Sequence, residues 1–304
     1  MALPNSGQLS LDDIASELTV SLSDVSLRSM SSTAGFSVPD SIAEFYGYDA
    51  SSGYVNTRYY QNDGTGDYID CTTSTSPFSI NSTQDLSFSV WVRNTGNKQN
   101  QLLWNFGNTN ANGNNRFMFT YSASLDRLIA RVRTNSTNFD RQWNLTNNSS
   151  ATGITNSTNG WSSSQRGNVN AIGFCLLTVT YDASQTNSTN ALKLYWNATE
   201  CTTEAVANSG TRTSIDATKG RIGENLHLTD SAGNANLDYD ELKIYNKVLS
   251  SSEVTTLYKG GVIADSSQTV SSGLITEWTF DNNNANDSNS KYTNSIINGV
   301  ITAY

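Results

Sequence analysis

After residue 54 the chain alternates apolar and polar side chains in short runs separated by Asn, Gly, Ser and Thr. Leu86-Ser87-Phe88-Ser89-Val90-Trp91-Val92 is the plainest run. Apolar side chains at every second position share one face of an extended segment, leaving the other face to water. Similar signals recur at residues 67–71, 102–106, 116–121, 127–132, 174–181, 192–196 and 221–223. Each is rich in β-branched or aromatic residues and is bounded by turn-forming ones. Many short strands at roughly ten-residue spacing predict a mainly β protein, an antiparallel β-sandwich or jelly roll.

The first fifty residues read differently. Leu9, Leu11, Ile14 and Leu18 sit at helical spacing behind Ser10, and a second short pattern at Leu22, Val25 and Leu27 follows Ser21 or Ser23. A further helix is expected to start near Pro39 or Asp40 and stop at Gly47. So small a helical module buries little on its own. The predicted division is therefore residues 1–50 as a small N-terminal module and residues 51–304 as the β domain.

Near the other end, residues 240–258 fuse a strand to a capped helix. Leu242, Ile244 and Asn246 share one strand face, and Ser250 to Ser252 with Glu253 supply the N-terminal cap of a helix carrying Val254, Leu257 and Tyr258.

Composition narrows the function classes. Charged residues are 15% of the 304, and polarity comes instead from Asn, Ser and Thr, which favour turns and sheet surfaces. The 6 Trp, 14 Tyr and 10 Phe are too many for a disordered chain. A net charge of -9 opposes the phosphate backbone, so no nucleic-acid partner is expected. No 18-residue apolar run and no basic n-region with an h-region occurs, so neither membrane insertion nor classical secretion is expected. Cys71, Cys175 and Cys201 are an odd number without CxxC spacing, which argues for free core or strand residues over a disulfide framework or zinc site.

Five segments taken in order resemble laminin-G-like, concanavalin-A-type jelly-roll domains. They are Asn62-Asp63-Gly64-Thr65-Gly66-Asp67-Tyr68-Ile69, Phe88-Ser89-Val90-Trp91-Val92, the pair at 177–182 and 192–197, Arg221-Ile222-Gly223-Glu224, and the closing strand and helix at 240–258. Residues 273–281 and 296–300 resemble the opening of such a domain, yet they stand at its end. Residues 270–304 are therefore expected to supply a displaced opening strand, either folding back into the same sandwich with Trp278 and Phe280 in the core, or completing the sheet of a neighbouring copy. Leu9-Ser10-Leu11-Asp12-Asp13-Ile14 and Ser41-Ile42-Ala43-Glu44-Phe45-Tyr46-Gly47 resemble the N-terminal module of tailed-bacteriophage virion proteins.

Candidate chemistry is sparse. Glycoside hydrolases need two carboxylates about 5–9.5 Å apart, and hydrolases of this fold carry Glu-x-Asp-x-x-Glu, which is absent. Asp238 and Asp240 share a strand face with Glu241 opposite, and they read as solvated strand-end acids. His227, the only histidine, has no nucleophile motif beside it and reads as a strand residue. The Asn-rich loop at 281–289 offers hard oxygen ligands. The laminin-G resemblance nominates Asp240, Asp281 and Asp287 as calcium ligands, making calcium the candidate cofactor; the alternative is an Asx-rich loop that satisfies its own backbone. Trp91, Trp196 and Trp278 lie in alternating strands and are expected in the core. Trp104, Trp143 and Trp161 stand among Asn, Ser and Thr and are the candidate sugar-stacking residues, with Trp143 and Trp161 bordering a long polar segment at 135–170 that serves either a ligand or a subunit contact.

Together the two resemblances imply a non-enzymatic phage virion structural protein, a fibre, tail or capsid-decoration component made in the host cytoplasm. It would attach to other virion proteins through residues 1–50, form a homo-oligomer, and expose its jelly roll to cell-surface glycans during host adsorption. Two rivals stay open: a purely structural cement protein with no glycan ligand, and a polysaccharide-degrading enzyme of concanavalin-A-like fold.

Overall fold

The structure is a computed structural model that describes residues 9–17, 26, 27, 30, 58–95, 100–108, 115–122, 125, 127–134, 137–144, 174–202, 204–224, 234–263, 269–280 and 284–303. The chain divides into two compact units, one of residues 1–56 with 255–271 and one of residues 57–254 with 272–304. In the first, helix α1 (Leu11–Glu17) is opened by a reciprocal cap. The Asp13 N–H donates to Ser10 Oγ at 3.2 Å, while Asp13 Oδ2 accepts from the Ser10 N–H at 2.8 Å. Ile14 and Ala15 are buried along one face of this helix, as are Leu9 before it and Met30 beyond it. The patterns at 18–25 and 31–50 lie outside the described residues.

The second unit is an antiparallel β-sandwich. In chain order its strands and short helix are β1 (Arg58–Gln61), β2 (Tyr68–Thr72), β3 (Ser79–Ile80), β4 (Leu86–Asn94), β5 (Asn100–Gly107), β6 (Arg116–Ser122), β7 (Arg127–Thr134), β8 (Thr137–Asn144), β9 (Cys175–Tyr181), α2 (Ser188–Ala191), β10 (Leu192–Trp196), β11 (Thr199–Glu200), β12 (Glu204–Ser209), β13 (Ile215–Asp216), β14 (Lys219–Ile222) and β15 (Leu237–Tyr245). Helix α3 (Ser251–Ile263) follows, then β16 (Leu274–Trp278), β17 (Thr293–Ile297) and β18 (Val300–Ala303). One sheet runs β11-β10-β9-β4-β15-β1-β18, with β16 also on β15; the other runs β12-β8-β7-β6-β5-β14-β2-β17. The predicted jelly-roll class is the observed one.

The alternation seen in the sequence becomes the core. Phe88, Val90 and Val92 of β4 face Trp104, Phe106, Phe117 and Phe119 of the other sheet, and Phe88 stacks on Trp104 with centroids 4.1 Å apart and planes inclined by 14°. Trp91 lies one position out of phase, so it is buried on the opposite face of β4 and is not part of the inter-sheet core expected for it. Trp196 and Trp278 do lie in that core, and Cys71, Cys175 and Cys201 are free and buried. Burial pushes the Cys201 thiol up to about 12. Part of the polar segment expected to lie outside any core is strand β8: Phe139, Arg141 and Trp143 alternate inward, and Arg141 Nη1 donates to the Thr189 and Leu192 carbonyls at 2.8 and 2.7 Å.

The C-terminal segment closes both sheets of its own chain. Residues 274–278 pair with 242–245 of β15, end to end with β1, which pairs with 238–239 on the same strand. Trp278, Phe280 and Tyr292 enter the core, with Trp278 and Tyr292 at 6.0 and 5.7 Å from Phe106 and Phe280 at 6.0 Å from Tyr60. β17 then borders β2, and a tight corner at Asn298 and Gly299 carries the chain across to β18 beside β1. Asn298 takes a left-handed φ of 58°. Gly299 is required for another reason: a Cβ there would lie 2.4 Å from the Tyr60 hydroxyl.

Two outcomes follow from this closure. Gly299→Ala should lower the unfolding free energy in urea by about 1–3 kcal/mol through overpacking against a buried ring, and a variant as stable as the wild type would show that the corner yields freely. A chain ending at residue 272 should fail to unfold cooperatively, because it loses three strands and the Trp278 ring; a sharp urea transition in that truncation would show that the sandwich closes without them.

Candidate functional site

The tryptophans first nominated as sugar-stacking residues are not at a surface. Trp104 is 1% exposed and Trp143 is fully buried, so both rings belong to the core and offer no face to a ligand. The reason is local: each falls on the inward phase of its strand, Trp104 with Phe106 in β5 and Trp143 with Phe139 in β8. Trp161 lies outside the described residues, as do His227 and Asp281.

Two of the three nominated metal ligands, Asp240 and Asp287, are described, and both accept hydrogen bonds from the chain itself. Asp287 is buried and accepts four hydrogen bonds, from Thr276 Oγ1 at 2.6 Å, the Lys291 N–H at 2.6 Å, the Tyr292 N–H at 3.1 Å and Asn294 Nδ2 at 2.8 Å. It organises the turn between β16 and β17. Asp240 is also buried, and its Oδ1 accepts the Glu241 N–H at 2.8 Å. Among the described residues no group of three or more His, Cys, Asp or Glu side chains is arranged to share a cation.

Asp238 and Asp240 are buried, not solvated as their strand-end position implies. Arg93 donates to Asp238 Oδ2 from Nε at 2.8 Å and Nη2 at 2.5 Å, with its guanidinium 4.9 Å from the Tyr59 ring and 4.8 Å from the Phe174 ring. Glu241 does not take the face opposite them, because an irregularity in β15 gives it a φ of 45°. It pairs instead with Lys243 at 2.8 Å, which also lies 3.9 Å from Glu277. Lys243 between these two carboxylates makes an ion-paired cluster.

The outward face of the larger-numbered sheet, β12 to β17, has a different character. Phe117, Phe119, Leu128, Ala130, Val132 and Ile222 point into the core, so their neighbours in sequence point away from it. Following the register, Asp70, Arg221, Asn105, Met118, Arg131, Asp140 and Asn208 form one row across seven strands. A parallel row holds Lys219, Gly107, Arg116, Arg133 and Asn138. Much of this face is covered: Met118 and Ile129 are each 5% exposed, and Asn105, Arg116 and Asp140 are buried with them.

Hydrogen bonds fix the arginines in place. Arg131 donates from Nε and Nη2 to Asp140 Oδ2 at 2.9 and 2.6 Å, and Asn208 Nδ2 donates to Asp140 Oδ1 at 2.6 Å. Arg221 bridges Asp70 at 3.1 Å and Glu224 at 2.8 Å and lies 4.2 Å from the Tyr68 ring. Burial holds the Glu224 carboxyl above the usual glutamate value, against the pull of Arg221. Arg127 reaches Asn144 Oδ1 and Gln142 Oε1, both at 3.1 Å. The side chains of Arg131 and Arg221 stay 22% and 16% exposed, so these forks are pre-set yet reachable from solvent. The sequence carried one unused signal for this face: Arg127, Arg131 and Arg133 stand in phase against Leu128, Ala130 and Val132.

No protein-family model and no curated protein sequence matches the chain. Solved structures do. A candidate carbohydrate-binding protein from Bacteroides ovatus ATCC 8483 superimposes with a TM-score of 0.50 at 11% identity, over 81% of this chain and 60% of its own length. The native heptameric SAP-like pentraxin from Limulus polyphemus gives 0.46 at 12% identity, over 67% of this chain and 82% of its own. The CBM40 of the Ruminococcus gnavus IT-sialidase, bound to α2,3-sialyllactose, gives 0.37 at 13% identity, over 60% of this chain and 100% of its own. At such identities the likeness shows the fold, and the chain is an antiparallel jelly-roll sandwich.

Two measurements test these placements. Trp104→Ala and Trp143→Ala should each cost about 3–5 kcal/mol of stability as core truncations; near-neutral effects in urea would return the rings to a surface role. Asp238 gives a pH signature. Burial raises its carboxyl above the ordinary aspartate value, with Arg93 pulling it back, so in that window the folded protein holds a proton the unfolded chain has released. Stability from this group is therefore present in acid and lost as pH rises through the raised value. Asp238→Asn should flatten that fall in urea midpoints measured from about pH 4 to 7, and an identical slope in both proteins would show that Arg93 keeps the carboxylate ionised throughout.

Proposed function

We propose that this chain is a non-enzymatic recognition protein whose sandwich binds glycans, carried on a tailed-phage particle as a fibre, tail or capsid-decoration component. The observation that carries the binding half is the set of restrained polar side chains that reach solvent on this sheet, Asp70, Arg221, Arg131 and Asn208. A strand-built face holds its side chains in fixed register, so amide and guanidinium groups meet sugar hydroxyls without being ordered at the moment of binding. The Bacteroides ovatus protein that shares the fold is itself described as a candidate carbohydrate binder, which supports the same ligand class.

A binding role also fits the carboxylates. Asp140, Glu241 and Glu277 lie against Arg131 or Lys243, and none faces a second acid across an open space as general acid and base must. The particle half of the proposal rests on the virion-type sequence of the first fifty residues, of which Leu9-Ser10-Leu11-Asp12-Asp13-Ile14 begins a capped helix. Copies arrayed on one particle would turn weak single sites into firm attachment.

A glycan array with the purified chain should show binders and no release of reducing sugar. An empty array, combined with particles that fall apart when the protein is omitted, would replace this function with that of a cement protein. Released reducing ends would replace it with a polysaccharide-degrading enzyme. Electron microscopy of particles assembled without residues 1–50 should show the protein missing; normal incorporation would end the anchoring role.

A further inference from the structure

We propose that this chain pairs with a second copy of itself along the edge strand β18, antiparallel across a two-fold axis, so that two sandwiches lie side by side. The starting point is where each sheet stops. The first sheet ends at β11 and β18, the second ends at β12 and β17, and β16 leaves a further edge beside β1. An edge strand shows a row of backbone N–H and C=O groups without a neighbouring strand. Proteins that stay single blunt such a row with short strands, charges, bulges or a covering loop.

β11, β12 and β16 carry these devices. β11 is two residues long and holds Glu200, which Lys193 engages at 3.2 Å. β12 is interrupted by a bulge between Glu204 and Val206. β16 is covered by the turn after it, where the Ser288 N–H donates to the Glu277 carbonyl and Asn289 Nδ2 to the Ile275 carbonyl, both at 2.8 Å.

β17 and β18 carry none of them. No charged residue and no proline occurs from Tyr292 to Tyr304, and the two strands keep unbroken register with β2 and β1. Val300 at the start of β18 is 54% exposed, Thr293 and Ser295 are exposed on β17, and Ile296, Ile297 and Ile301 are half-buried at the same edge. Among the described residues no strand borders the far side of either.

The occupant that fits this side is a second copy. β17 and β18 are joined by the corner at Asn298 and Gly299 and belong to different sheets, so two free edges stand together, separated by the thickness of a sandwich, about 10 Å. A lone extended peptide covers one edge and leaves the other. A sandwich of this same shape presents both at the matching spacing, and a two-fold axis sets β18 against β18 with β17 beside β17. The missing charges matter because the chain carries -9 and copies repel overall. An uncharged edge lets two such chains approach without setting like charges opposite each other. Each copy uses its edge once, so the pair closes.

Sedimentation velocity of the full chain over about 1–200 µM should show a monomer converting to a dimer and to nothing larger. Between the ends of that range, amide hydrogen exchange in residues 293–303 should slow about fivefold or more, with β11 and β12 unchanged. Ser295→Lys combined with Val300→Lys, both at exposed positions, should weaken dimerisation about tenfold or more at an unchanged melting temperature. Ser295→Glu combined with Val300→Glu should do the same. An equimolar mixture of the lysine and glutamate variants should form mixed dimers, a rescue that damage to the fold would not give.

A monomer at every concentration, with exchange unchanged, would overturn the proposal. A dimer that the lysine pair leaves intact would place the interface elsewhere and overturn it too. Lysine and glutamate variants that stay apart when mixed, or growth beyond two copies, would do the same.

Discussion

Everything in the sandwich depends on an aromatic wedge contributed by the last thirty residues. Trp278, Phe280 and Tyr292 pack between the sheets against Phe106 and Tyr60, and the strands on either side of them seal one edge of each sheet. The pairing of Arg58 with Ala303 closes a loop of nearly the whole β region, at an entropic cost of order 5 kcal/mol. Burying Trp278 alone recovers a comparable amount. The closure is thus affordable only because the segment that forms the edge strands also brings its own core.

That constraint reaches the candidate site through register. Arg221 stands between Asp70 and Asn105 because β14 is held between β2 and β5, and β2 is held in turn by β17. Gly220, beside Arg221, leaves room for the Phe106 ring, against which a Cβ would lie at 2.3 Å. The same Phe106 supports Trp278. Core and outward face are therefore two sides of one set of strands, and the position of each guanidinium is fixed by what its sequence neighbour buries.

Much of this was legible in the sequence, for a physical reason. Period-two alternation reports burial on one face directly, so the strands at 86–92, 116–121 and 174–181 and the jelly-roll class could be read from residue type alone. The Ser10 and Ser250 caps were equally plain, since each places a carboxylate three residues on: Asp13 and Glu253, the latter accepting the Ser250 N–H at 2.9 Å. Phase within a strand was harder. Trp91 and Trp104 look alike as strand tryptophans, yet one is buried outside the inter-sheet core and the other at its centre. Trp143 sat in so polar a stretch that its strand went unrecognised; Arg141 beside it is tolerated inside only because two carbonyls accept from its guanidinium.

The charged groups were least legible because their meaning depends on neighbours far away in sequence. Asp238 reads as a solvated acid until Arg93, 145 residues earlier, is placed against it. Arg116, Arg131 and Arg221 are scattered over more than a hundred positions, and only the order β14-β5-β6-β7 brings them onto one face. Three arginines of that face are held by different devices: Arg131 by a buried carboxylate, Arg221 by two acids and a tyrosine ring, Arg127 by two amides. Such restraint removes side-chain freedom before any ligand arrives, which is the condition under which a guanidinium contributes most to binding.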